Sequence, residues 1–166
     1  MALLLRPGAH DVPSGRSVVL DDVDRQLLAE LVDDARVPNN VLAARVGIAA
    51  STCSTRLKRL VSTGVVRGFH ADLEPAAVGL AVQAMIAVRL QPHARASIGE
   101  VAPRLAALPG VLNVYFLSGA DDFLIQVAAA TPDALRDFVI EHLSASKEFA
   151  ATETSLVFDH VRGTSA

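Results

Sequence analysis

The chain is poor in cysteine and in aromatic residues, with one Cys, one Tyr and no Trp among its 166 residues. A lone Cys53 excludes an intrachain disulfide, and without a C-x-x-C or clustered Cys/His pattern the usual zinc arrangements fall away as well. The 5 histidines (His10, His70, His93, His142 and His160) stand at no metal-ligating spacing. No Ser/His/Asp order and no phosphate-cradling glycine loop is present, so the residues carry no catalytic assignment, no metal and no cofactor site. Long apolar runs are missing too. Ala2 to Leu5 is too short for the apolar region of a signal peptide and no stretch approaches a bilayer span. The expectation is a soluble cytoplasmic protein in a reducing compartment.

A further absence is local. Between Ala35 and Ala71 there is no Asp or Glu, while Arg36, Arg45, Arg56, Lys58, Arg59 and Arg67 fall in that stretch. The preceding segment is the reverse: Asp21, Asp22, Asp24, Glu30, Asp33 and Asp34 face a single Arg25. The formal net charge of -3 therefore hides a basic segment of the kind that phosphate contacts require. A hydrophobic fraction of 51% is ample for buried cores in one large or two small domains.

Residues 1–19 hold Pro7, Gly8, Pro13, Ser14 and Gly15 without an apolar period and read as a flexible tail. A helix begins at Asp21 or Asp22, with acids in its first turn and Val23, Leu27, Leu28 and Leu31 at helical spacing. Pro38 breaks it, and Asn39 or Asn40 is expected to cap a short second helix that runs through Val46 and ends at Gly47. A third helix carries Cys53, Leu57, Leu60 and Val61 as one apolar stripe and stops at Gly64. Helix, short glycine-containing turn, helix is the helix-turn-helix pattern. Val65 to Leu73 then turns strand-like around Gly68, which predicts a small hairpin, the wing.

Glu74 to Ala81 reads as a linker. Beyond it the pattern is strand (Val82 to Leu90), helix (Ser97 to Leu108, with a Ser97/Glu100 capping box), strand (Val111 to Leu117) and strand (Phe123 to Ala128). A helix opened by Thr131-Pro132-Asp133 follows, with a Leu135, Phe138, Val139 and His142 stripe, and Thr152 to Val161 closes the sheet. Pro103 inside the first of these helices should kink it or shift its start. The fold class is a mainly α winged helix-turn-helix over 20–74, a linker over 75–81, an α+β ferredoxin-like βαββαβ domain over 82–162, and a tail over 163–166.

With Cys53 and Leu57 facing the core, Ser51, Thr55, Lys58, Arg59 and Ser62 point the opposite way, flanked by Thr52 and Ser54. That face fits a recognition helix: small hydroxyls approach base edges or phosphates, and Lys58 and Arg59 supply charge for phosphate or guanine. A solvated outer face is the plain alternative; the tandem helices and the missing acids weigh against it. Arg56, nearer the apolar stripe, either snorkels to a backbone phosphate or pairs with a neighbouring acid. Asn39 serves as a cap or contacts phosphate, and Arg67 and His70 are within the wing's reach of DNA.

Several ordered segments resemble the leucine-responsive regulator/asparagine-regulator (feast/famine) family of bacterial transcription regulators over Leu20 to Arg162. They are the opening Leu20-Asp21-Asp22-Val23-Asp24-Arg25-Gln26-Leu27-Leu28, Asp34-Ala35-Arg36, Leu42 to Gly47, Cys53 to Leu60 and Gly64-Val65-Val66-Arg67-Gly68. Leu108-Pro109-Gly110-Val111, Ser118-Gly119-Ala120-Asp121-Asp122-Phe123 and Thr152-Glu153-Thr154 continue the match.

The resemblance implies a sequence-specific DNA-binding regulator, a homodimer as basic unit often assembled to octamers, and an amino acid or related metabolite bound between C-terminal domains. Its effector pocket maps onto Ser118, Gly119, Asp121, Asp122 and Thr154 with residues of a partner subunit. A glycine turn offers backbone N–H groups to a carboxylate and Asp122 receives an ammonium group; the turn by itself also reads as a plain hairpin. Ala49 stands where the family commonly has a capping serine, so Ser51 is expected to cap instead. Asp121 replaces a usually aromatic or apolar residue, which points to a cationic or unusually polar effector, or to none. Two alternatives from other classes are a siroheme-decarboxylase-like enzyme on the same architecture and a DNA-binding or assembly protein without effector control.

Overall fold

The first helix begins where its acids can cap it. In the computed structural model, which describes residues 18–71 and 73–161, Asp21 accepts from the backbone N–H of Asp24 at 2.8 Å while the Asp24 carboxylate accepts from Asp21 N–H at 3.2 Å. This reciprocal capping box, with aspartate at both ends, starts α1 (Asp22–Asp33). Of the tails expected at 1–19 and 163–166, residues 1–17 and 163–166 lie outside the described residues. Within them the chain forms two compact units, 18–71 and 73–161.

In the first unit Leu27 of α1 packs with Leu42 and Ala43 of α2 (Asn39–Val46) and with Cys53 of α3 (Ala50–Ser62), and burial raises the Cys53 thiol pKa. Pro38, extended at φ -61° and ψ 141°, is the residue that precedes α2, so neither Asn39 nor Asn40 caps it. Both are already helical. Gly47 ends α2 at φ 74°, its N–H bonding back to Ala43 and Ala44 carbonyls. Ser51 is likewise inside α3 rather than its cap; Ala49 takes that place, and α3 starts without a side-chain cap.

The expected wing hairpin has no strand among the described residues: neither 65–71 nor Leu73 is in a ladder. The reason lies in the backbone, because Val66 N–H donates to the Leu60 carbonyl at 3.0 Å and so finishes α3 instead of entering a strand pair.

In the second unit a 3-10 turn at Pro75–Val78, closed by Gly79, leads to a four-stranded antiparallel sheet ordered β2-β3-β1-β4. Its strands are β1 (Val82–Leu90), β2 (Val111–Phe116), β3 (Phe123–Ala129) and β4 (Phe149–Val157). With α4 (Ile98–Ala106) and α5 (Pro132–Phe138) this is the ferredoxin-like order. Ala84, Ile86, Val88 and Leu90 alternate into the core with Phe123, Ile125 and Val127, against Val101, Leu105, Leu135, Phe138 and Leu143. Gln83, Met85, Ala87 and Arg89 point to the opposite face.

Three expectations are corrected here. The Ser97/Glu100 box is absent, because the chain enters α4 through a 3-10 turn at Pro92–Ser97 that leaves Ser97 without an N-cap bond. Pro103 lies inside α4, which starts at Ile98 after that turn and continues to Ala106. The stripe on the last helix shifts: a π-helical turn at Val139–Ser144 adds a residue, so Leu143 is fully buried where His142 was expected. β4 starts and stops earlier than 152–161, since its register pairs Leu90 with Phe149 and Gln83 with Val157. Thr131 does cap α5, accepting from Ala134 N–H at 3.1 Å.

Candidate DNA interface and effector hairpin

α3 turns Cys53 and Leu60 inward, which leaves Ser51, Thr52, Thr55, Lys58 and Ser62 exposed and Ser54 half-buried. Thr55 spends its hydroxyl proton on the Ser51 carbonyl at 3.0 Å, so towards a ligand it offers a lone pair and a methyl group. Lys58 is exposed.

The arginines are placed differently. Arg56 Nη1 donates to Asp21 Oδ2 at 2.7 Å and to Asp24 Oδ1 at 2.9 Å, and Arg59 Nη2 donates to Asp24 Oδ2. Of the two readings of Arg56, pairing with an acid is the arrangement found. Only 1% of the Asp24 side chain is exposed, against 27% for Arg56 and 42% for Arg59. Burial alone pushes the Asp24 carboxyl up, yet the hydrogen bonds from Arg59, Arg56 and the Asp21 backbone outweigh it and bring the pKa down to about 2. The Asp21 carboxyl is lowered by the Asp24 N–H it caps and by Arg56. Arg56 is raised in turn, chiefly by Asp21 and Asp24.

Ser51, Thr52, Thr55, Arg56 and Arg59 line one open groove of about 650 Å³ together with Val19, Asp21 and Asp24. Lys58, Ser54, Asn39 and Arg67 are not among its walls. Asn39 is turned to structure: its Nδ2 donates to the Ala50 carbonyl at 2.9 Å, tying the first turn of α2 to that of α3, while its Oδ1 is buried without a hydrogen bond. Arg67 is exposed beyond the end of α3. Asp21 and Asp24 are the site residues that the sequence reading left out. Their signal was present: a D-x-x-D cap ahead of a basic helix with no acid of its own.

In the second unit the β2–β3 hairpin brings Ser118, Gly119, Asp121 and Asp122 together, closed by Leu117 N–H donating to the Asp122 carbonyl at 2.9 Å. Asp122 Oδ2 accepts from Leu90 N–H at 2.8 Å and from Arg95 Nη2 at 3.4 Å, and Asp122 N–H donates to the Val88 carbonyl at 2.9 Å. This carboxylate pins the hairpin to β1. The extra charge at Asp121 is met by Arg89, which reaches Asp121 Oδ1 at 3.3 Å and the Ala120 carbonyl at 2.8 Å. Thr154 is not with them: it sits on β4 opposite Ile86, with β1 between it and the hairpin strand.

Among the described residues no group of three or more His, Cys, Asp or Glu is arranged to hold a metal, and no helix is long and apolar enough to cross a membrane.

Residues 20–67 match the winged helix-turn-helix DNA-binding family, and residues 83–166 match the Lrp/AsnC ligand binding domain. The chain is 53% identical over 146 residues to the HTH-type transcriptional regulator AldR of Mycolicibacterium smegmatis, covering 88% of this chain and 85% of AldR. It is 38% identical to the leucine-responsive regulatory protein of Rhizobium meliloti, over 87% of this chain and 93% of that one. Among solved structures, AldR of Mycobacterium tuberculosis superposes with a TM-score of 0.80 at 49% identity, covering 90% of this chain and 99% of that one. A regulator of Neisseria meningitidis solved as a complex with L-Met does so with a TM-score of 0.78 at 31% identity, over 88% and 94% of the two chains. The two domain matches, the helix-turn-helix with its basic third helix and the antiparallel β2-β3-β1-β4 sheet agree: the chain belongs to the Lrp/AsnC family of DNA-binding transcription regulators.

Proposed function

We propose that this regulator reads operator DNA with the exposed face of α3, through Ser51, Thr52, Thr55 and Lys58, and that an amino acid or related metabolite controls it through the C-terminal domain. The observation that carries the first part is the composition of that face: hydroxyls and one free-standing lysine on a helix whose flanking segment, 35–71, holds no acid. The metabolite reading is supported by the L-Met complex of the Neisseria regulator. Its action is cytoplasmic, where DNA is.

Self-association is part of the proposal. The sheet face opposite α4 and α5 carries Met85, Ala87, Leu124 and Tyr115 in adjacent register positions, with Tyr115 46% exposed. A second copy laid on that face would bury them and give a homodimer, the unit from which an octamer can be built. Subunit spacing then decides which half-sites are engaged together, and an effector that favours one assembly shifts that choice.

A second reading, assembly without effector control, is favoured by one observation: both hairpin carboxylates, Asp121 and Asp122, already have partners within the chain.

The test is fluorescence anisotropy of DNA from upstream of the protein's own gene, across a salt series, with and without pooled amino acids, for the native chain and Lys58→Ala. Salt-sensitive binding that Lys58→Ala weakens supports the α3 reading. Binding indifferent to Lys58→Ala overturns it, and binding and light-scattering mass both indifferent to amino acids favour the second reading.

A further inference from the structure

Asp21 and Asp24 do more than cap α1. Each of the two arginines on the groove wall of α3 is tied to an acid of α1, so four formal charges, two of each sign, cancel within the groove. Phosphate approaching Arg56 there also meets the Asp21 carboxylate, whose side chain is 53% exposed at the groove. Lys58, by contrast, lies outside that network and carries its charge openly. Sequence-independent DNA affinity comes from cations that replace counterions on phosphates, so a guanidinium held by a carboxylate is withheld from that term.

We propose that Asp21 and Asp24 are specificity-determining residues that restrain Arg56 and Arg59 from phosphate, suppressing non-specific DNA binding while holding α3 in position to read bases. The restraint rests on the reading of the exposed α3 face as the DNA surface. Its chemistry is an intramolecular competition: the acids occupy the guanidinium donors, and only a ligand offering more than a lone phosphate displaces them. Arg59 is held by the buried Asp24, whereas Arg56 is shared through one nitrogen, Nη1, between Asp24 and the accessible Asp21, and its restraint requires both acids, so that loss of either releases it.

The experiment measures binding of the full chain to a short duplex of scrambled sequence as a function of salt, for native protein, Asp21→Asn, Asp24→Asn, Asp22→Asn and Lys58→Ala. Asparagine is a good N-cap and still accepts the Asp24 N–H, so Asp21→Asn keeps the helix start even where Asp24→Asn fails to fold. Asp22→Asn removes the same charge one residue away, from an acid that pairs with Arg25 and neither α3 arginine.

The expected result is tighter binding and a slope of log K against log salt steeper by about 0.9 for each guanidinium that gains a phosphate: one in Asp21→Asn, two in Asp24→Asn. Asp22→Asn leaves the slope at the native value, and adding Arg56→Gln to Asp21→Asn restores it. A slope in Asp21→Asn no steeper than in Asp22→Asn overturns the restraint, as does weaker binding by a variant that still melts cooperatively. Lys58→Ala separates the two levels. If it leaves the native slope unchanged, the α3 reading fails and the restraint with it; if it flattens the slope while Asp21→Asn does not steepen it, the restraint alone fails.

Discussion

Asp24 near the start of α1 and Arg56 in the middle of α3 are joined at 2.9 Å across 32 residues of sequence, and the carboxylate end of that pair is the one buried polar side chain in the first unit's described residues. Its burial is tolerable because every direction is answered: Arg56 on one oxygen, Arg59 and the Asp21 N–H on the other. The same pair that orders the helix-turn-helix sets the charge of its groove.

Removing the arginines should therefore cost more than removing the acid. Arg56→Ala with Arg59→Ala strands a buried carboxylate, for which about 3 kcal/mol of lost stability is expected. Asp24→Asn leaves guanidiniums that are 27% and 42% exposed and can turn to water, so its loss should be smaller. Urea unfolding followed by circular dichroism checks the order; equal losses would show that the carboxylate is not held as described.

Acid should find the same residue. The Asp24 carboxyl sits at about 2 in the fold against an ordinary 3.8. A depressed acid stabilises the fold fully above its unfolded value and loses that contribution as pH falls through the folded one. The first unit should therefore lose on the order of 2 kcal/mol between about pH 5 and pH 2 from this group. In Asp24→Asn that part of the pH dependence should vanish, which melting curves at stepped pH will detect.

Local rules made much of this legible. Helical spacing with Gly47 and Gly64 as stops marks α2 and α3, Thr131-Pro132 marks the start of α5, and alternation marks β1. What failed to show was decided at a distance or by a single backbone bond. Val66 N–H goes to Leu60, and the described residues of the wing carry no ladder. The added residue of the π turn moves burial from His142 to Leu143, which a fixed helical period hides. For Arg56 an acid partner was one of the two readings, but the tie of Arg59 to Asp24 was hidden, because periodicity reports which face a residue occupies and says nothing about an acid 35 residues earlier.

Gly110 is a sharper case of a residue fixed by its neighbour. It sits at φ 83° just before β2, and a Cβ there would lie 2.7 Å from the Ala128 carbonyl oxygen, while Ala128 N–H bonds the Gly110 carbonyl at 2.8 Å. Relief would require the strand pair to part. Gly110→Ala should lower the stability of the second unit by about 1–3 kcal/mol, through positive φ and overlap together. A thermal melt within error of native would contradict that geometry.

The hairpin offers a separation of folding from sensing. Asp122 accepts from Leu90 N–H and Arg95, and only 13% of its side chain is exposed. Asp122→Ala leaves a part-buried N–H without its acceptor, at a cost of about 1–3 kcal/mol. Asp122→Asn still presents an oxygen to Leu90 and should recover most of that loss. Asp121 is the contrast: its pair with Arg89 is 3.3 Å long and exposed on both sides, so Asp121→Ala should change stability by less than about 1 kcal/mol. If the hairpin also holds an effector, Asp121→Ala is the variant in which a changed amino-acid response can be read without a folding defect. An altered response there, at native melting temperature, assigns the added charge to effector choice; an unaltered one leaves Arg89 as its whole purpose, holding the turn closed against β1.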